Sequence, residues 1–218
     1  MTGRLTFDQE LKDLHDTLIK MGKVVENAID ESILALKNKD IEVAKRIIEG
    51  DNVVDELEKE IEHKCLLLIL RQQPVAGDLR KISTALKIIT DMERIGDHAA
   101  DIAELTLDIA DGNVYGSTKE IVPMTEVAIS MVRDAIIAFI RDDLELARDV
   151  RTRDDVVDNL FRQYKLELAE VIRSGKDTGE HALNYLMIAK YLERIADHAV
   201  NICEWIEFAQ TGEHVWPR

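Results

Sequence analysis

The chain has 218 residues, with 43 acidic against 28 basic side chains and a formal net charge of −15. Few glycines, prolines and aromatics among many leucines, isoleucines, alanines and charged residues favour helices over sheet. This acidity argues against a nucleic-acid-binding protein, which normally presents a basic face, and apolar runs such as Cys65 to Leu70 are too short to cross a bilayer.

The first half of the chain is predicted to form three helices. Apolar residues spaced three or four apart indicate an amphipathic helix over 7–36 and a second over 41–70, with Asp40 as the N-cap of the second. The segment Gln72-Gln-Pro-Val-Ala-Gly77 interrupts the pattern because proline cannot continue a helix. A third helix, capped by Asp78, then extends to about residue 111.

The second half repeats this plan. A fourth helix ends near residue 141, and the pattern Asp51-Asn-Val-Val-Asp55 returns as Asp154-Asp-Val-Val-Asp158 on the fifth, 103 residues later. Glycines at 175 and 179 separate the fifth helix from the sixth, for which Asp177 or Thr178 is the predicted cap. We therefore expect an all-α protein built as a tandem duplication of a three-helix bundle, six helices in all. The expected divisions are 1–112 for the first repeat, 113–117 for a linker and 118–218 for the second repeat.

One motif on the third helix recurs on the sixth. Glu93-Arg-Ile-Gly-Asp-His-Ala-Ala-Asp-Ile102 and Glu193-Arg-Ile-Ala-Asp-His-Ala-Val-Asn-Ile202 are identical at seven of ten positions, with an offset of 100 residues. On a helix, Glu93, Asp97 and Asp101 lie on one face at i, i+4 and i+8. Like charges at this spacing cost a helix a few tenths of a kcal/mol each. A bound cation is the simplest reason for a doubled stripe of this kind.

The acids on the second and fifth helices complete two candidate metal sites. In a short three-helix unit, the second helix can run antiparallel to the third, which brings the two acidic pairs of one repeat close together. Two carboxylates about 6 Å apart repel by roughly 3 kcal/mol at an effective dielectric near 20, and oxygen-only ligands suit hard cations such as Mg, Ca, Mn or iron. The candidate ligands are Asp51, Asp55, Glu93, Asp97 and Asp101 in the first repeat, and Asp154, Asp158, Glu193, Asp197 and the neutral Asn201 in the second.

Other polar residues of the motif have supporting roles in this interpretation. His98 and His198 lie nearer the edge of the core and are interpreted as structural or as supports for the ligands, and Arg94 and Arg194 as partners of neighbouring acids. Cys65 and Cys203 stand alone among apolar residues, which indicates buried free thiols in a reducing compartment.

Two other functions stay open at this point. A carboxylate-bridged di-metal enzyme of the ferritin type normally uses Glu-x-x-His, whereas His98 follows Glu93 by five residues. A structural helical scaffold whose acids are simply solvated is the second alternative. The sequence contains no nucleophile–base pair, no phosphate-binding glycine-rich loop and no nucleotide motif, so we expect a protein that is not an enzyme.

The same residues resemble a known family. Gln73-Pro74-x-Ala76-x-Asp78-Leu79-Arg80, together with the two Glu-Arg-Ile-x-Asp-His-Ala motifs, is similar to PhoU, the bacterial regulator of phosphate uptake. The resemblance covers nearly the whole chain, including its duplication. It implies two three-helix bundles with multinuclear metal clusters of iron, zinc, manganese or magnesium.

The resemblance also implies ligands, partners and location. The implied ligand pairs are Asp51/Asp55 with Glu93/Asp97, and Asp154/Asp158 with Glu193/Asp197. The implied role is that of a cytoplasmic negative regulator that connects the ATPase subunit of a phosphate ABC transporter with a phosphate-sensing histidine kinase. We further expect a homodimer without direct membrane insertion.

Overall fold

The computed structural model describes residues 2–110, 121–175 and 179–213, and every regular element among them is an α-helix. The predicted all-α class and tandem three-helix plan are confirmed. The helical segments are α1 (Thr2–Asn38), α2 (Ile41–Gly50), α3 (Asn52–Gln72), α4 (Ala76–Ala110), α5 (Ile121–Arg141), α6 (Leu144–Arg173) and α7 (Glu180–Thr211).

The predicted second helix is interrupted at Asp51, which separates α2 from α3. Asp51 keeps right-handed helical dihedrals (φ −56°, ψ −37°), and its carbonyl accepts from the amide of Val54 at 2.9 Å and from that of Asp55 at 3.5 Å. The helix therefore tightens locally to an i→i+3 bond. Gly50 is a poor helix former, whereas Arg153 at the equivalent position leaves α6 continuous.

The turns between the helices show how closely the repeats match. Lys39 and Asp142, 103 residues apart, both have a positive φ of 54°. Asp40 caps α2 by accepting from the amide of Val43 at 3.1 Å, as predicted. Asp143 caps α6 in the same way.

Two further cap predictions had different outcomes. The prediction that Asp78 caps the third helix is wrong, because α4 already begins at Ala76 and places Asp78 in its first turn. A carboxylate there still suits the positive end of the helix dipole. The predicted caps Asp177 and Thr178 lie outside the described residues, and the N-cap of α7 is Gly179 instead.

The predicted apolar stripes form the core. Met92, Ile95, Ala99 and Ile102, on the face of α4 opposite the acidic stripe, are completely buried. One continuous apolar cluster contains residues of both repeats. The two repeats therefore share a core, which holds the four acid-bearing helices in fixed relative positions.

The long helices α4 and α7 make the most extensive contact between elements. Arg80 donates to the carbonyl of Ala209 at 3.1 Å, Asp91 contacts His198, and His98 stacks on Tyr191. The residue numbers of these partners on α7 decrease as those on α4 increase, so the two helices are antiparallel. Because their motifs are 100 residues apart, the motifs face each other across an approximate two-fold axis near residues 94 and 194.

The predicted linker 113–117 lies outside the described residues, so the division into 1–112 and 118–218 stays a prediction. In the part of the chain that the structure describes, no helix is long and apolar enough to span a membrane.

Candidate metal centre

The two acidic stripes open onto one cavity of about 860 Å³ between the repeats. The antiparallel packing of α4 and α7 produces this arrangement, because it sets the two motifs opposite each other. Six of the predicted ligands line the cavity, namely Asp51, Asp97, Asp101, Asp154, Asp197 and Asn201. The other four, Asp55, Glu93, Asp158 and Glu193, lie one helical turn from these on the same helices.

In the first repeat, α3 and α4 bring the predicted acids together. Burial raises the pKa of Asp51, and the charges of Asp97, Asp55 and Asp101 raise it further. Burial also raises the pKa of Glu93, as does the charge of Asp97, although Arg94 opposes them. The acids of the two helices therefore feel one another's charge, as the sequence predicted.

The close approach of these helices depends on a glycine. A Cβ built on Gly96 of α4 would lie 3.1 and 3.2 Å from the two Cγ atoms of Val54 on α3. Since Val54 directly precedes Asp55 and Gly96 directly precedes Asp97, this contact sets how near the two carboxylates come. Gly96 is therefore part of the site although it carries no ligand.

In the second repeat, α6 and α7 form the equivalent arrangement. Burial raises the pKa of Asp154 to about 6, with Asp197, Asp158 and Glu193 as further causes. Asp197 is exposed at the rim, yet partial desolvation by its surroundings and the charge of Glu193 raise its pKa as well. The high pKa of Asp154 means that cationic neighbours compensate its negative charge poorly.

One oxygen in this set has no partner. Asp154 Oδ1 is buried and makes no hydrogen bond, and a buried unpaired carboxylate oxygen is costly. Its neighbours are other carboxylates, which cannot donate to it while ionised. A cation would satisfy this oxygen, and an all-oxygen donor set is the one that hard metal ions prefer. The donor chemistry thus fits the predicted metal.

The side chains do not surround an ion as they stand. Within 2–110, 121–175 and 179–213, no group of three or more His, Cys, Asp or Glu side chains is arranged so that it could hold a metal ion. Several carboxylates are instead turned toward basic partners. Arg94, as predicted for it, contacts Asp97 at 2.8 Å and Glu93 at 3.4 Å.

Asp101 and Asn201 have partners outside the acidic pairs. Asp101 Oδ2 lies 3.1 Å from Nδ1 of His98. The amide of Asn201 donates to Asp91 at 3.2 Å, and Nδ1 of His198 lies 2.8 Å from the same carboxylate oxygen. Both residues therefore tie the motif to neighbouring side chains of α4.

The two motif histidines meet where the repeats join. The ring centroids of His98 and His198 are 5.7 Å apart, and His98 stacks on Tyr191 at 5.3 Å. This placement agrees with the structural role predicted for them. Sequence reasoning missed Asp91 and Tyr191, which occupy equivalent positions in the two motif helices but differ in chemistry, so the comparison of repeats held no signal for their role.

Fold and site together define a class: an all-α protein of two related three-helix units whose paired acids face a shared cavity. The sequence profile of the PhoU domain matches this chain twice, over residues 18–106 and 121–206. The chain therefore belongs to the PhoU family.

Relatives and solved structures agree with this membership. The chain is 38% identical to the phosphate-specific transport system accessory protein PhoU homolog of Clostridium acetobutylicum, over 97% of both chains. It is 35% identical to PhoU homolog 1 of Thermotoga maritima, covering 99% of this chain and 93% of the relative. The crystal structure of PhoU from Pseudomonas aeruginosa superposes with a TM-score of 0.89 at 31% identity, covering 95% of this chain and all of that one.

Proposed function

We propose that this protein is a negative regulator of phosphate uptake and of phosphate-starvation signalling. The observation that carries the proposal is the PhoU match in both repeats, together with near full-length relatives named as accessory proteins of phosphate-specific transport. The protein acts as a metal-binding adaptor between the ATPase subunit of a phosphate ABC transporter and a phosphate-sensing histidine kinase. It works by docking and is not an enzyme.

Charge supports the docking role. A net charge of −15 attracts a partner's basic patch, and such association slows as salt screens the charges. The test is a titration against the kinase's cytoplasmic region and against the transporter ATPase, at low and at high salt, with and without metal. We expect association to slow at high salt and affinity to change on chelation.

Deletion of the gene tests the regulatory role in the cell. We expect phosphate-starvation responses to rise while phosphate is plentiful. Responses that stay repressed, together with no binding of either partner, would show that the regulatory proposal is wrong.

Each repeat holds its own metal cluster in this proposal. Asp51, Asp55, Glu93, Asp97 and Asp101 supply oxygen ligands in the first repeat, and their counterparts Asp154, Asp158, Glu193, Asp197 and Asn201 supply them in the second. Iron, zinc, manganese or magnesium would neutralise the carboxylates and cross-link α3 to α4 and α6 to α7. The unpaired oxygen of Asp154 supports this, and the carboxylates now turned to arginines would rotate toward the ion.

Paired substitutions test the assignment. Asp55→Asn with Asp97→Asn removes two acids from the first repeat, and Asp158→Asn with Asp197→Asn removes the matching two from the second. Each double variant is expected to lose the metal of its own repeat and keep that of the other, as measured by elemental analysis of the purified protein. Asp108→Asn, an exposed acid of α4, is the control. Unchanged metal content in both double variants would remove the ligand assignment.

We also propose that the protein works in the cytoplasm as a homodimer. The two partners present their ATPase and kinase regions there, and the buried free thiols of Cys65 and Cys203 suit a reducing compartment. Cell fractionation tests the location. Sedimentation at several concentrations tests the oligomeric state, and a monomer throughout would contradict the dimer.

A further inference from the structure

Among the equivalent positions of the two acidic sites, three pairs differ so that the first site carries the more negative charge. An offset of 103 residues relates α3 to α6 and pairs Glu58 with Phe161. An offset of 100 relates α4 to α7 and pairs Thr90 with Lys190 and Asp101 with Asn201. Each difference makes the first site more negative than the second. The six acids of the first site are Asp51, Asp55, Glu58, Glu93, Asp97 and Asp101, whereas the second keeps four and gains a lysine.

In the first repeat, Glu58 extends the acidic set along α3. The hydroxyl of Thr90 donates to its carboxylate at 3.5 Å, which places Glu58 beside α4 one turn from Glu93. Burial raises the pKa of Glu58, and the charge of Asp55 adds to the effect. Glu58 therefore lies within the electrostatic reach of the ligand acids, and Thr90 supplies a hydrogen bond without a charge.

In the second repeat, a cationic side chain occupies the corresponding place. The ammonium of Lys190 forms an ion pair with Glu193, whose side chain is only 12% exposed. The same ammonium lies 5.6 Å from the ring centroid of Phe161, at cation–π distance. Its charge also acts on Asp197 and opposes the rise in that group's pKa.

The arginines do not cancel this difference. Arg94 contacts Glu93 and Asp97 in the first repeat, but Arg194 stands at the equivalent position in the second and lines the same cavity. In addition, Arg162 forms an ion pair with Asp158 at 3.0 Å, whereas its equivalent Lys59 contacts Glu56. In the second repeat the protein's own cations thus pair with Glu193 and Asp158, whereas Asp154 keeps an unpaired oxygen.

We propose that the two sites bind metal unequally. In the second repeat the ammonium of Lys190 takes the place of a metal ion beside Glu193, whereas in the first repeat Glu58 serves as an additional ligand. This inference rests on the proposed metal binding. It predicts that the first repeat binds more metal charge than the second and holds it more tightly. In the second repeat, a metal ion that binds between two ligand acids must displace the Lys190 ion pair, because the ion and the ammonium are both positive and repel each other.

The test isolates each site and uses Mn²⁺ as the probe. In the full chain carrying Asp55→Asn and Asp97→Asn, only the second site is intact. Replacing Lys190 by Thr there, the residue found at 90, is expected to tighten Mn²⁺ binding by about tenfold or more, since a cation next to the ligands is removed. Lys165→Thr is the matched control, because its ammonium also lies over the ring of Phe161, at 5.9 Å, and its removal leaves the Glu193 ion pair in place. Lys190→Gln repeats the test with a longer neutral side chain if the Thr variant does not fold.

The converse background, Asp158→Asn with Asp197→Asn, isolates the first site. There Glu58→Gln is expected to weaken Mn²⁺ binding by about tenfold, while Glu56→Gln, on the same helix and exposed, leaves it unchanged. Free Mn²⁺ is counted by electron paramagnetic resonance. Circular dichroism checks that each variant is folded.

The outcomes separate this inference from the proposal beneath it. If the unmodified chain binds Mn²⁺ but the Lys190 variants match Lys165→Thr and Glu58→Gln matches Glu56→Gln, neither Lys190 nor Glu58 acts on a metal site, and the inference is overturned while metal binding stands. If the unmodified chain binds no Mn²⁺ and none of the other proposed metals, both fall together.

Discussion

Asp154 shows at the scale of one residue why the acids need a counterion. Its pKa rises from an ordinary 3.8 to about 6 because of burial and the charges of Asp197, Asp158 and Glu193, and one of its oxygens is unpaired. In the metal-free protein, ionised Asp154 therefore opposes folding. A raised folded-state pKa means that the stability is fully present below about pH 4 and is lost as the pH rises through about 6.

Removal of the Asp154 charge should therefore stabilise the metal-free protein at neutral pH, which is the first prediction. In the presence of a chelator, Asp154→Asn should raise the melting temperature at pH 7 by a few degrees. This corresponds to a gain of about 1 kcal/mol in the free energy of unfolding after allowance for solvent screening. At pH 4 most of this gain should disappear, because the Asp154 side chain of the folded parent is then neutral as well. With Mn²⁺ the order should reverse, since the variant has lost a ligand. Asp155→Asn, its exposed neighbour, is the control, and equal gains at both pH values would contradict the charge explanation.

At the scale of the helices, the approach of α3 to α4 decides whether two acidic pairs become one site. Gly96 permits this approach, because an added Cβ would already lie 3.1 Å from Val54 Cγ1. The equivalent α6–α7 pair has Ala196 at this position. The two helix pairs therefore need not be equally spaced, although their acids match.

Substitution of Gly96 tests this second prediction. Gly96→Val should destabilise the protein by about 1–3 kcal/mol through overpacking and reduce the metal bound by the first repeat, because α3 moves away from Asp97. Gly50→Ala is the control, since a Cβ there meets open space and alanine is the better helix former. Thermal melts and metal analysis measure the two effects. Full metal content in Gly96→Val would show that the spacing of α3 and α4 does not control the site.

At the scale of the whole molecule, the contact between α4 and α7 joins the repeats through a few polar side chains. Nδ1 of His198 lies 2.8 Å from Oδ1 of Asp91, and the amide of Asn201 donates to the same oxygen at 3.2 Å. The side chain of Asp91 is 13% exposed. The third prediction is that Asp91→Ala lowers stability by about 1–3 kcal/mol, because it removes a carboxylate that His198, which is partly buried, and the amide of Asn201 both contact. Asp108→Ala, exposed on the same helix, should have little effect. Equal melting temperatures for the two variants would assign the contact to apolar packing alone.

The continuous apolar core predicts how the molecule responds to loss of metal. Chelation should lower the melting temperature, since it removes a ligand that binds only the folded state and restores repulsion between the acids. It should leave the helical content unchanged, because the core does not include the acids. Circular dichroism with a strong chelator measures both. Loss of the helical signal would mean that metal is needed for folding, and an unchanged melting temperature would mean that no metal was bound.

The amino-acid sequence by itself determined the helices, the duplication and the candidate ligands. Apolar spacing of three to four residues directly reflects the helical period, and two copies of one motif at a constant offset require two similar environments. Asp40 was predictable as a cap because capping is local chemistry. The break at Asp51 was not, since a single glycine changes helix stability by only about 1 kcal/mol and tertiary packing decides the outcome.

Only the tertiary structure decided how the two repeats meet. Periodicity places Glu93, Asp97 and Asp101 on one face, but it contains no information on which helix lies opposite. The antiparallel packing of α4 and α7 set both acidic stripes on one cavity and brought His198 to Asp91. The packing of α6 against α7 placed the Lys190 ammonium near both Glu193 and Phe161. Contacts between residues some 100 positions apart in the chain depend on packing of the whole core, which a local pattern in the sequence does not specify.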